Sequence, residues 1–142
     1  MGIFLNEESI FMESKQDDKT AISCAGKLYS HMVKYANHKE KQTKSWMNTI
    51  INNSNELIKY CSNTNNKKKL FENFDKIRSE AEKDLCIDYK IKNVNQLGFD
   101  WNLALDIEDW TDNTKIRQFL TIYAYNTDAL LALENNPNRY KF

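Results

Sequence analysis

The sequence is poor in the residues that break and turn a chain. Proline occurs once, at Pro137, and glycine three times, at Gly2, Gly26 and Gly98. Sheet-rich folds need many turn positions, so this scarcity favours long helices joined by few loops. The glycines also lie too far apart to make a phosphate-cradling loop. Cys24, Cys61 and Cys86 form no closely spaced pair, which speaks against a structural zinc site. Their odd number and wide spacing are expected of reduced, buried thiols. Histidine is confined to His31 and His38, and neither has an acid three positions before it, as a helical di-iron motif requires. There is no Gly-x-Ser-x-Gly elbow, no thiol-enzyme motif and no apolar run of membrane-spanning length. The opening residues lack the basic region and apolar stretch of a secretory leader. The expectation is a cytoplasmic chain that needs no cofactor and touches no membrane. The formal net charge is zero, unlike that of a dedicated, sequence-blind nucleic-acid binder.

What is present is enough for one hydrophobic core. A chain of 142 residues buries roughly two-thirds of its unfolded surface and needs no disulfide or metal to fold. We read residues 1–142 as a single, mainly α domain, a compact bundle of about four helices. Residues 1–16 form a lead whose Ile10, Phe11 and Met12 dock on the body, and residues 138–142 form a tail. Ala21, Ala25, Leu28, Met32 and Tyr35 recur at helical spacing, which predicts a first helix over 18–37 capped by Asp17 or Asp18. A second helix starts near Thr43 and carries the stripe Trp46, Met47, Ile50, Ile51, Ser54, Leu57, Ile58 and Cys61. A third covers 67–85. The last is capped by Thr111 or Asp112, faces inward through Ile116, Phe119, Leu120, Tyr123, Thr127, Leu130 and Leu131, and stops at Pro137.

Between the third and last helices the period changes. Ile87, Tyr89 and Ile91, then Phe99, Trp101, Leu103, Leu105 and Ile107, alternate with mostly polar residues. Period two predicts a short β-hairpin closed by a loop containing Gly98. The competing expectation is a short helix over 100–110 capped by Asp100.

Charge is unevenly distributed. Asp100, Asp106, Glu108, Asp109 and Asp112 share a stretch without basic residues, flanked by Trp101 and Trp110. Tryptophan is a favoured interface anchor, and acids beside it steer a basic partner. The leading expectation is therefore a non-enzymatic protein-binding module of the immunity, antitoxin or inhibitor type. It sequesters a partner protein through Trp101, Asp106, Glu108, Asp109, Trp110 and Asp112. In general character the chain resembles small helical immunity proteins, antitoxins and viral inhibitors, with no motif behind that likeness. The bland alternative makes the tryptophans core and the acids helix caps. A lysine-rich stretch supports a second reading, a nucleic-acid-associated subunit. Residues 27–69 include Lys39, Lys41, Lys44, Lys67, Lys68 and Lys69 among interleaved aromatics. The stretch has no arginine, which is the better residue for bidentate and stacking contacts. A third reading, a metal-dependent hydrolase, rests on clustered carboxylates and on two short matches, Glu72-x-x-Asp75 and Asp88-x-Lys90.

Overall fold

A computed structural model describes residues 6–38 and 41–125, with side chains from residue 17 onward. Among the described residues all regular structure is helical: α1 (Asn6–Asn37), α2 (Lys44–Tyr60), α3 (Thr64–Glu72), α4 (Phe74–Tyr89), α5 (Ile107–Trp110) and α6 (Asn113–Ile122). Two single 3-10 turns, Val94–Gln96 and Trp101–Leu103, lie between α4 and α5. No described helix is long and apolar enough to cross a membrane.

The core is the apolar face of α1 packed against α2, α4 and the residues that follow. Leu28, Met32 and Tyr35 of α1 are buried with Met47, Ile50, Ile51 and Leu57 of α2. Ile77, Ala81 and Leu85 of α4 and Ile116, Phe119 and Leu120 of α6 join them. Two pairings fix the direction of α2. Asp18 meets the Tyr60 hydroxyl at 2.7 Å, and Lys34 lies over the Trp46 ring at 5.6 Å. As one partner advances along the chain the other retreats, so α1 and α2 are antiparallel. The pairing of α1 with α4 runs the other way. Ser30 meets Asp84 and Lys34 meets Asp88, each 54 residues apart. Gly26 faces Glu80 at the same spacing, so close that a Cβ on residue 26 would sit 2.8 Å from the Glu80 Cβ. Partners that advance together every four residues define two parallel helices in contact along one seam. Gly26 is what allows the backbones to meet there.

From the end of α4 the chain turns back beside α1. Asn37 holds the Asp100 backbone at both its N–H and its carbonyl, His38 packs on Phe99, and Tyr29 packs on Trp101. Helix α6 then runs up along α2, where the Tyr35 hydroxyl donates to the Leu120 carbonyl at 2.9 Å. Burial pushes the Tyr35 phenol up to about 12.

The structure corrects several expectations. The hairpin is absent. Ile87 and Tyr89 belong to the last turn of α4, and the segment after Gly98 is a series of tight turns with no strand among the described residues. The reason is local hydrogen bonding. Asn93 accepts from Asn95 N–H, Asp100 from Asn102 N–H and Asp106 from Asp109 N–H, so backbone donors are satisfied without a ladder partner. The period-two alternation survives as a burial pattern: Phe99, Trp101, Leu103 and Leu105 are half-buried, while Asp100, Asn102 and Asp106 are exposed. Gly98 has φ 63°, which suits the turn assigned to it. Asp17 and Asp18 cap nothing, because α1 already begins at Asn6 and takes in much of the expected lead. The helix expected over 67–85 is two helices, broken at Asn73, so the described chain has six helices where about four were expected. The second helix starts next to Thr43, as expected, with Thr43 as its N-cap, and of the two caps expected for the last helix, Thr111 or Asp112, it is Asp112 that caps α6. The docking of Ile10, Phe11 and Met12, the inward positions Thr127, Leu130 and Leu131, the stop at Pro137 and the 138–142 tail lie outside the described residues.

Candidate functional site

The acidic segment has a definite construction. Asp106 begins α5 and accepts from the Asp109 N–H at 3.0 Å. Asp112 begins α6 and accepts from Thr114 and Lys115 N–H groups at 2.9 and 3.3 Å. Negative charge at a helix start is favourable, so the sequence places these acids where the backbone needs acceptors. Asp100, Asp106, Glu108 and Asp112 are exposed, and Asp109 is half-buried. Partial burial, followed by the Asp106 charge, pushes the Asp109 carboxyl above its ordinary range. Glu108 reaches across to Lys67 of α3 at 2.5 Å, a direct link between the acidic and basic stretches. Both tryptophans pack on Tyr29. Trp110 is 0% exposed and stands edge-on to Tyr29 at 5.4 Å. Trp101 is half-buried between Tyr29 and the Arg78 guanidinium. Trp110 buttresses the acidic edge from behind, while Trp101 stays partly exposed.

The lysines are dispersed. Lys67 is paired with Glu108, and Lys69 meets Asp18 at 3.3 Å. Lys41, Lys44 and Lys68 are exposed, and Lys39 lies outside the described residues. Glu72 and Asp75 fall on either side of the break at Asn73, and Asp88-Tyr89-Lys90 is a helix end. Among the described residues no three His, Cys, Asp or Glu side chains come together as a metal ion would need. The three cysteines are free and half-buried.

The densest polar arrangement is one the sequence reading did not single out, the seam between α1 and α4. Lys34, 3% exposed, makes an ion pair with Asp88, which is 44% exposed. The Ser30 hydroxyl donates to Asp84 Oδ2 at 2.6 Å. His31 Nδ1 lies 2.7 Å from the Lys27 carbonyl and 3.3 Å from Ser30 Oγ. At the far end His38 Nδ1 is 2.7 Å from the Tyr89 hydroxyl, and both rings stand edge-on to Phe99. Serine, histidine and aspartate within a few ångströms invite comparison with a catalytic triad, but the hydrogen bonds run the wrong way. A carbonyl can only accept, so His31 Nδ1 carries its proton toward Lys27 and cannot take one from Ser30. Ser30 is fully buried and gives its proton to the aspartate. In a triad the aspartate orients the histidine and the serine stays open to substrate. The seam is a structural cross-link between parallel helices. The sequence signal was available: Gly26, Ser30 and Lys34 recur every four residues on one helix, and Glu80, Asp84 and Asp88 on another.

Burial, then the charge of Lys34, holds the His31 imidazole below its ordinary value; the Lys27 carbonyl and the Asp84 and Asp88 charges oppose this only in part. The unfolded chain takes up that proton near pH ~6.5 whereas the folded chain resists it. His31 thus contributes stability that is present above that pH and lost as pH falls through the lower, folded value. Urea unfolding at pH 7.5 and pH 5 measures this. His31→Asn retains a donor for Lys27 and is expected to lose less stability on acidification than the wild type; an equal loss would assign the effect to other groups.

The fold is a helical domain with an acidic outer edge and a cross-linked helix pair. A family model described as a domain of unknown function, DUF29, matches residues 5–115. The chain belongs to that family, and the match spans α1 through the start of α6. No curated protein and no solved structure matches the chain.

Proposed function

We propose that this chain is a non-enzymatic binding module of the inhibitor or immunity type, acting in the cytoplasm. It holds a basic protein partner against the edge formed by residues 100–112. The supporting observation is the rigid array of exposed carboxylates at Asp100, Asp106 and Asp112. Each is pinned by the backbone N–H group it accepts from, and among the described residues none is neutralised by an ion pair. A pre-ordered array loses little side-chain entropy on binding. The crowding of Asp106 and Asp109 adds a field that an incoming lysine or arginine relieves. Relative to the sequence reading, the contact set narrows. Trp110 serves as backing, and Glu108 takes part only by leaving Lys67. The nucleic-acid reading has less support, because Lys67 and Lys69 already have acidic partners. The hydrolase reading has only the Asp106–Asp109 pair to draw on.

The test is a triple change, Asp106→Asn, Asp109→Asn and Asp112→Asn. Asparagine caps a helix about as well as aspartate, so the fold is kept while the charge is removed. With a partner captured from lysate after nuclease treatment, the expected result is slower association and a flatter salt dependence, with Tm little changed. Unaltered association at low salt would reject this edge as the interface. Capture that depends on intact nucleic acid would favour the lysine reading instead.

A further inference from the structure

Beside the Gly26–Glu80 contact, α1 and α4 border a groove of about 450 Å³. It is lined by Lys19 and Ser23 from α1 and by Lys76, Ser79, Glu80 and Lys83 from α4, with half-buried Ile22 between them. Three ammonium groups share it with one carboxylate. Glu80 lies 3.7 Å from Lys83, while Lys19 and Lys76 have no ion pair among the described residues. The groove therefore carries an excess of positive charge on a chain whose net charge is zero. None of these lysines was among the candidates read from sequence, because they come from segments more than fifty positions apart.

We infer that this groove binds a small organic polyphosphate. Lysine ammoniums and serine hydroxyls are the donors such a ligand uses, and Ile22 offers an apolar contact to its organic part. Lys76 and Lys83 are two helical turns apart, roughly 10 Å along the axis. That span suits a run of phosphoryl groups better than a lone orthophosphate. A single-stranded nucleic acid is a poorer fit, because the lining has no aromatic ring for base stacking and no arginine.

Inorganic tripolyphosphate is the probe, titrated into the full chain at low salt and followed by calorimetry and amide chemical shifts. The expected result is saturable one-to-one binding that weakens with salt and moves the Ser23 and Ser79 amides. Lys76→Gln with Lys83→Gln is expected to weaken it by about tenfold or more, since each exposed charge-assisted contact is lost. Both side chains are exposed, so Tm stays constant. The control, Lys41→Gln with Lys44→Gln, leaves affinity unchanged. Unsaturable binding, no binding, or an equal loss in the control would overturn the proposal. So would an oligothymidylate that binds through the same lysines more tightly than tripolyphosphate. These readouts are independent of the acidic edge, so either proposal can fail alone.

Discussion

Trp110→Ala is expected to lower the unfolding free energy by about 4 kcal/mol, the usual range for deleting a fully buried indole. Trp110 is 0% exposed and closes the junction of three helices. Its ring stands against Tyr29 of α1, and its carbonyl accepts the Ser54 hydroxyl of α2 at 2.5 Å. Alanine keeps the carbonyl but leaves a cavity and strips one neighbour from Tyr29. The indole Nε1 is buried with no hydrogen-bond partner among the described residues. Trp110→Phe removes that unmet donor along with some volume, so the two effects oppose each other and the net cost is about 1 kcal/mol. Urea unfolding of the two variants measures the contrast. Equal losses would mean that the indole N–H contributes to stability after all.

The second large effect belongs to the seam. Asp88→Ala is expected to cost about 2–3 kcal/mol, because it leaves the Lys34 ammonium buried without its counter-charge. Asp88 is partly exposed, which places the figure below that for a fully buried pair. Lys34→Met is expected to cost less than about 1 kcal/mol. It removes the buried charge itself and leaves Asp88 open to water. The position matters as well. Lys34 and Asp88 both lie in the last turns of their helices. Parallel helices bring two partially negative ends together, and one cation between them relieves both. The double variant Lys34→Met with Asp88→Ala is expected to be more stable than Asp88→Ala alone. Strict additivity of the two single changes would show that the pair is not coupled.

The apolar stripes of the helices were legible because they depend on neighbours in sequence, whereas the start of α1 and the break at Asn73 were not. The second helix begins beside Thr43, Asp112 caps the last helix as one of its two expected caps, and the apolar stripe of α2 is the face it buries. The hairpin was misread because alternation reports which residues are buried and says nothing of how their backbone is hydrogen-bonded. Asp100 and Asp106 decided that locally, by taking the N–H groups a ladder would have used. The acidic stretch was visible, but the packing of Trp101 and Trp110 involves Tyr29, some seventy to eighty positions earlier. The four-residue spacing behind the seam was present in the sequence, but neither the seam nor the lysine groove could be assigned from it, for a related reason. Ser30, Lys34, Asp84 and Asp88 read one by one as a solvated face, and only the pairing of α1 with α4 gives them a common role.

The 54-residue spacing of that seam also bears on the order of assembly. The α1–α2 hairpin closes over the short connection between residues 37 and 44, a small loop that forms quickly. Nothing in the α1–α4 seam can form until α2 and α3 have been traversed, so its contacts carry a larger closure entropy. The expectation is a transition state built on α1 and α2, with the polar ladder added afterwards. Late contacts of this kind hold the native state together by slowing unfolding and leave the folding rate almost untouched. The Lys34–Asp88 pair would then set how long the folded chain lasts, and the α1–α2 hairpin how soon it arrives.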